Sequence, residues 1–128
     1  MDGLTPRLDT LRANPELAGF SRAQLRFLLR NLDEVVVPAG YRVAEAGSFC
    51  KQFVVVAGGH LKASGAAGER VVHAGESLGW RAMWERELND ETVVAESEAR
   101  LLVMGHAQFR AVKGIAARPP AEERPPAA

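Results

Sequence analysis

Residues 53–62 read Phe-Val-Val-Val-Ala-Gly-Gly-His-Leu-Lys, and this stretch decides the fold class. Its first half is an unbroken apolar run rich in strand-forming residues, and Gly58-Gly59 then marks a turn. Apolar and polar residues alternate after the turn, in His60-Leu61-Lys62-Ala63, which is typical of a strand with one face in water. The stretch therefore predicts two strands on either side of a glycine turn.

The same pattern of short apolar runs and glycine turns continues from residue 33 to about residue 104. The other turns are Pro38-Ala39-Gly40, Ala46-Gly47-Ser48, the hairpin loop Gly65-Ala66-Ala67-Gly68, Gly75 and Gly79. Short strands with turns every ~8–12 residues predict an antiparallel sandwich or roll. Residues 80–88 interrupt the series, because they lack β-branched residues and favour a short helix.

Helices are predicted before the β-rich region, in residues 4–32. Thr5-Pro6 is a helix start signal, and Asn14-Pro15 breaks the first helix. Ser21 opens a second helix, and Gln24 three residues later completes a capping box. The buried face of this second helix is a leucine stripe made of Leu25, Leu28, Leu29 and Leu32.

The chain has 128 residues, a length that fits one domain. We expect the N-terminal helices of the domain at 1–32 and a β-roll with its closing helix at 33–114. The closing helix runs from about His106 to Lys113. The remaining residues, 115–128, are predicted to be a disordered tail, because they contain four of the seven prolines.

Composition excludes several classes of protein. Lys and Arg balance Asp and Glu at 16 each, so bulk nucleic-acid binding is not expected. With neither an apolar run of ~18 residues nor a secretory signal, a cytoplasmic protein without membrane insertion is expected. Cys50 is the only cysteine, and we expect it to be a small buried residue in a strand. The histidines show no metal-ligand spacing and no catalytic motif is present, so neither a metal site nor an enzyme is predicted.

The order of these elements resembles the cyclic nucleotide-binding domain of the Crp and protein kinase A regulatory-subunit type. The resemblance covers about Leu11 to Val112, and its motifs lie in residues 38–48, 53–62, 75–79 and 92–109. It implies a mainly β fold, an antiparallel β-roll of the jelly-roll or double-stranded β-helix type. A pair of N-terminal helices, a short cassette helix and a C-terminal helix would flank the roll.

In this family the ligand chemistry follows the second glycine, here Gly79. The resemblance implies that backbone N–H groups at the start of the cassette helix hold the cyclic phosphate. A glutamate after the glycine accepts from the ribose hydroxyl, and an arginine further on neutralises the phosphate. Trp80 stands at the glutamate position and Asn89 at the arginine position. The candidate ligand-binding residues are Gly79, Trp80, Arg81, Ala82, Met83, Asn89, Asp90, Glu91 and Thr92.

The charge of this segment opposes a phosphate ligand. Residues 76–91 contain five acidic and two basic residues, a net charge of −3. The missing arginine partner corresponds to a cost of ~2–5 kcal/mol, so a cyclic nucleotide is not the favoured ligand. For Arg81 and Arg86 two alternatives stay open: they contact an anion in place of the missing arginine, or they form solvated ion pairs with neighbouring glutamates.

Trp80 and Trp84 are four residues apart and share one helical face. Three interpretations stay open for them. They are core or rim residues at the mouth of the roll, or they stack on a flat ligand, or they are contact residues for a protein partner.

Three hypotheses for function follow. The favoured one is a stand-alone regulatory module with a degenerate cassette, acting through an unidentified protein partner or a non-standard small-molecule ligand. The second is a genuine cyclic AMP or cyclic GMP sensor in which Arg81 replaces the missing arginine. The third is a structural accessory subunit. Only fifteen residues follow Lys113, too few for a helix-turn-helix, so direct DNA binding is not expected.

Overall fold

A computed structural model of the chain describes residues 4–115, with side chains described from Arg7 onward. The helices are α1 (Leu4–Arg12), a 3-10 turn (Pro15–Leu17), α2 (Arg22–Arg30), α3 (Trp80–Glu85) and α4 (His106–Lys113). The strands are β1 (Asp33–Val37), β2 (Arg42–Ala44), β3 (Gln52–Gly58), β4 (Leu61–Gly65), β5 (Gly68–Val72), β6 (Ser77–Leu78), β7 (Glu91–Ala95) and β8 (Ala99–Gly105). Apart from Ile115, the tail predicted at 115–128 lies outside the described residues.

Two four-stranded antiparallel sheets form the roll. One sheet has the strand order β1-β8-β3-β6 and the other β2-β7-β4-β5. The hairpin predicted at residues 65–68 joins β4 to β5, with Gly65 and Gly68 paired at its end. The predicted antiparallel roll with flanking helices is confirmed.

Strand β3 contains the apolar run of the decisive stretch, and its burial explains why that run is unbroken. Successive side chains of a strand point to opposite faces. Phe53 and Val55 pack with the helices, whereas Val54 and Val56 pack between the two sheets. Because both faces of β3 are buried, no position in this part of the strand favours a polar residue.

The helices pack on one face of the sheet that contains β3. All four leucines of the predicted stripe, residues 25, 28, 29 and 32, are buried. The predicted break after α1 is also confirmed, since the Asn14 side-chain oxygen accepts the Glu16 N–H at 2.8 Å. The Asn14 amide then donates to the carbonyl oxygen of Gly75 at 3.1 Å, which connects the N-terminal helices to the roll.

Two local predictions are corrected. The helix predicted over residues 80–88 ends at Glu85, because Arg86 adopts a left-handed conformation and its N–H donates to the Ala82 carbonyl. Cys50 is buried as expected, but it lies outside the strands, just before β3.

The capping box of α2 supports a first testable prediction. Ser21 Oγ accepts the Gln24 N–H at 3.1 Å, and Gln24 Oε1 accepts the Ser21 N–H at 2.8 Å. Ser21→Ala should lower the free energy of unfolding in urea by about 1 kcal/mol, because the Gln24 N–H loses its acceptor. Ser21→Gly should cost only a few tenths of a kcal/mol. An equal loss in both variants would contradict a capping role.

Candidate functional site

A cavity of about 680 Å³ opens beside the start of α3. Its wall includes residues of β2, β5 and β6, the first turn of α3 and the segment that leads into β7. Gly79 makes the turn between β6 and α3 at a φ of 92°, and a Cβ there would lie 2.7 Å from the Gln52 carbonyl oxygen. Only glycine tolerates both the positive φ and this close approach.

Most of the predicted ligand-binding residues meet at this cavity. Those that line it are Gly79, Trp80, Arg81, Ala82, Asn89, Asp90 and Glu91. For Met83 and Thr92 the sequence interpretation is corrected. Met83 is 1% exposed and packs in the core under the helices. Thr92 accepts the Ala46 N–H on its hydroxyl oxygen at 3.0 Å, so it holds a turn and does not line the cavity.

The indole of Trp80 is a core group, although the residue borders the cavity. Trp80 is 3% exposed, and its ring centroid lies 5.0 Å from that of Phe53, 5.4 Å from Phe109 and 5.8 Å from Phe20. All three contacts are edge-on aromatic pairs, an arrangement that stabilises a core. The interpretations of Trp80 as a ligand-stacking residue and as a partner contact are therefore wrong, because both require an accessible ring.

Trp84 lies at the edge of the same aromatic group. Its ring centroid is 6.4 Å from that of Trp80, and the Lys113 ammonium lies 4.8 Å from the Trp84 ring centroid. This ammonium is close enough for a cation–π contact with the indole. Trp84 is partly buried and does not line the cavity, so its geometry does not support stacking on a ligand there. Its role as a partner contact stays a prediction.

Asn89, at the position expected for the phosphate-binding arginine, holds a turn at the cavity rim. Its side-chain amide donates to the Glu45 carbonyl at 3.1 Å, and its backbone N–H donates to the Ser48 carbonyl at 2.7 Å. Its own carbonyl accepts the Gly47 N–H at 2.8 Å. Through these hydrogen bonds Asn89 holds the backbone of residues 45–48 in place, and this backbone shapes the rim of the cavity.

Arg70 is a cavity residue that sequence reasoning missed. Arg70 Nε and Nη2 donate to the two carboxylate oxygens of Glu91 at 3.0 and 2.9 Å, and both residues line the cavity. This bidentate arrangement is a strong form of charge-assisted hydrogen bond. The hydrogen bonds to Glu91 raise the pKa of Arg70 above its ordinary value. Arg70 and Glu91 are 21 residues apart, and no local motif connects them.

The charge of the cavity wall corrects the charge expected from the sequence segment. The basic residues of the wall are Arg42, Lys51, Arg70 and Arg81, and the acidic ones are Glu16, Glu45, Glu87, Asp90 and Glu91. Their net charge is −1 rather than −3. Residues outside 76–91 add three basic and two acidic residues to the wall, while Glu76, Glu85 and Arg86 of the segment do not line it.

Cys50 also borders the cavity. Burial raises the pKa of its thiol, which favours the protonated and less reactive form.

Within residues 4–115, no group of three His, Cys, Asp or Glu side chains is placed to hold a metal ion. None of the helices described above is long and apolar enough to cross a membrane.

Comparison with solved structures gives many similar folds, and three of them are described in turn. The N-terminal domain of a transcriptional regulator from Streptomyces coelicolor is 26% identical with a TM-score of 0.72, over 84% of this chain and 81% of that one. A cyclic nucleotide-binding-like protein from Brucella abortus is 21% identical with a TM-score of 0.70, over 84% of this chain and 97% of that one. The regulatory domain of Toxoplasma gondii PKA, crystallised with cAMP, is 20% identical with a TM-score of 0.74, over 88% of this chain and 46% of that one.

Sequence comparison gives the family directly. No curated protein matches the chain significantly. The family model of the cyclic nucleotide-binding domain, however, matches residues 34–113, which run from β1 to the end of α4 and include every residue of the cavity wall except Glu16. The chain therefore belongs to the cyclic nucleotide-binding domain family.

Proposed function

We propose that this chain is a regulatory module whose cavity does not bind cyclic nucleotides in the manner of its family. One observation carries the proposal. The two positions expected to contact the ribose and the phosphate are occupied by a buried indole, at Trp80, and by an amide bonded to the backbone, at Asn89. The module would act through a protein partner or a non-standard small ligand.

The energetic argument rests on missing charge contacts. Removing one partner of a hydrogen-bonded charge pair costs about 2–5 kcal/mol, which is roughly one and a half to three and a half orders of magnitude in affinity. A net charge of −1 on the cavity wall further disfavours an anion. The Kd for a cyclic phosphate should therefore lie well above the micromolar range, which means weaker binding.

A thermal shift assay tests this proposal. A ligand at about a thousandfold excess over its Kd stabilises a protein by about 4 kcal/mol, which would raise the melting temperature by several degrees. We expect millimolar cyclic AMP and cyclic GMP to raise the melting temperature by far less than this. A rise of several degrees with either nucleotide would contradict the proposal.

The second candidate, a genuine cyclic nucleotide sensor, is favoured by the position of Arg81 on the cavity wall. Arg86 lies on the same segment but does not line the cavity, so it offers a matched control. If a nucleotide raises the melting temperature, loss of that shift in Arg81→Ala but not in Arg86→Ala would favour this candidate.

Domains of this family are regulatory, and we propose no catalytic activity for this chain. The structural accessory subunit remains the third candidate. Cytoplasmic location, absence of direct DNA binding and a protein partner that contacts Trp84 remain proposals from the sequence.

A further inference from the structure

The Arg70–Glu91 ion pair lies on the inner face of the roll. In the sheet register Arg70 is opposite Ala63, and Glu91 is opposite Gly65, so β4 lies between the two strands that carry these residues. Directly opposite residues share a face, as do residues two apart along a strand. Ala63 is buried between the sheets, so this face is the interior one. The small residues Ala63 and Gly65 leave room for the Arg70 side chain to cross β4.

The Glu91 carboxylate presents two oxygens to the Arg70 guanidinium at 2.9 and 3.0 Å. A phosphate or carboxylate group of a ligand would present the same pair of oxygens in the same bidentate geometry. Arg42, another basic residue of the wall, is 3.8 Å from the Glu45 carboxylate, a longer and less specific contact.

We propose that Arg70 is the anion-binding group of this cavity and that Glu91 acts as its internal anion, in place of an oxyanion ligand. A small oxyanion binds only by displacing the Glu91 carboxylate, which makes Glu91 the residue that determines specificity. The inference rests on the proposed function, since it explains why the native cavity does not accept a cyclic phosphate.

The exposure of the pair supports a role in specificity more than in stability. The Arg70 side chain is 51% exposed and that of Glu91 is 27% exposed. Solvent screens an ion pair exposed to this degree, so even a bidentate pair contributes only modestly to folding stability. Glu91→Gln keeps the size of the side chain and changes the wall charge from −1 to zero, so the variant should fold like the native chain.

Isothermal titration calorimetry on the full chain and on Glu91→Gln tests the proposal. The probes are inorganic phosphate, cyclic AMP and adenosine, which separate the oxyanion from the base. We expect Glu91→Gln to bind cyclic AMP and phosphate at least about tenfold more tightly than the native chain, ~1.4 kcal/mol, with no gain for adenosine. Glu91→Gln/Asp90→Asn should bind at least as tightly, because Asp90 also lines the cavity.

Two further variants make the assignment specific. Adding Arg70→Gln to Glu91→Gln should abolish the gain, because the guanidinium is the proposed anion contact. Glu96→Gln is the matched control, since Glu96 pairs with Lys62 at 3.8 Å and does not line the cavity, and it should leave binding unchanged.

The inference is overturned if folded Glu91→Gln and Glu91→Gln/Asp90→Asn show no gain, or if the gain survives Arg70→Gln or also occurs in Glu96→Gln. Tight binding of cyclic AMP by the native chain would instead contradict the proposed function. The two failures are therefore distinguishable, because one is measured on the native chain and the other as a ratio between variants.

Discussion

Trp80→Ala should lower the free energy of unfolding by about 3–5 kcal/mol, the range for removal of a large aromatic side chain from a core. Trp80 is 3% exposed and contacts four aromatic rings, contributed by α3 itself, β3, α4 and the segment before α2. Its loss would leave a cavity where the helices meet the roll. Because the free energy of unfolding of native proteins is about 5–15 kcal/mol, a loss of this size removes a large part of it.

Urea denaturation followed by circular dichroism measures this loss, and Trp84→Ala is the matched control. Trp84 is on the same helix but is only partly buried, so its truncation should cost about half as much or less. A loss in Trp80→Ala no larger than in Trp84→Ala would show that the Trp80 ring is not the centre of this core.

Gly59→Ala should destabilise the chain by about 3 kcal/mol or more. Gly59 has a φ of 75°, and a Cβ there would clash with the Glu98 carbonyl oxygen and lie 2.9 Å from the Ala99 Cα. Both atoms belong to the backbone, so neither can move aside as a flexible side chain would. The variant must displace the chain between β7 and β8, next to the pairing of β8 with β3.

Gly40→Ala separates the effect of backbone strain from the effect of this clash. Gly40 has a similar φ of 91°, but a Cβ at this position would have no atom within 4 Å other than those of residues 39–41. The substitution should cost only the strain of a left-handed alanine, about 1–2 kcal/mol. Equal losses at the two positions, measured in urea, would mean that the close approach at Gly59 has no energetic consequence.

The local features of the chain were predictable because they depend on residues that are neighbours in sequence. The capping box needs only Ser21 and Gln24, and the β4–β5 hairpin needs only the glycines around residues 65–68. The end of the short helix was not predicted, because no residue type near it signals that end. Arg86 in a left-handed conformation terminates α3, and arginine carries no sequence signal for that conformation.

The sequence predicted which residues gather at the candidate site, but it did not predict the contacts that their side chains make. Seven of the nine residues named from the sequence line the cavity, and their role as ligand contacts stays a prediction. Which way each side chain points depends on packing between elements. The pattern of residues 80–84 is compatible with an indole in the cavity or in the core, and only the aromatic rings from three other segments decide for the core.

By itself the sequence determined the roll, its glycine turns and the flanking helices, because each is encoded by residue type and spacing along the chain. The loss of the expected glutamate and arginine followed only from the resemblance to the family. The tertiary structure alone decided that Trp80 is buried, that the cavity wall carries a net charge of −1 and that Arg70 meets Glu91. Those properties depend on the register of β5, β4 and β7 and on which faces pack together. Strand register and packing are contacts between distant parts of the chain, and no local pattern in this sequence specifies them.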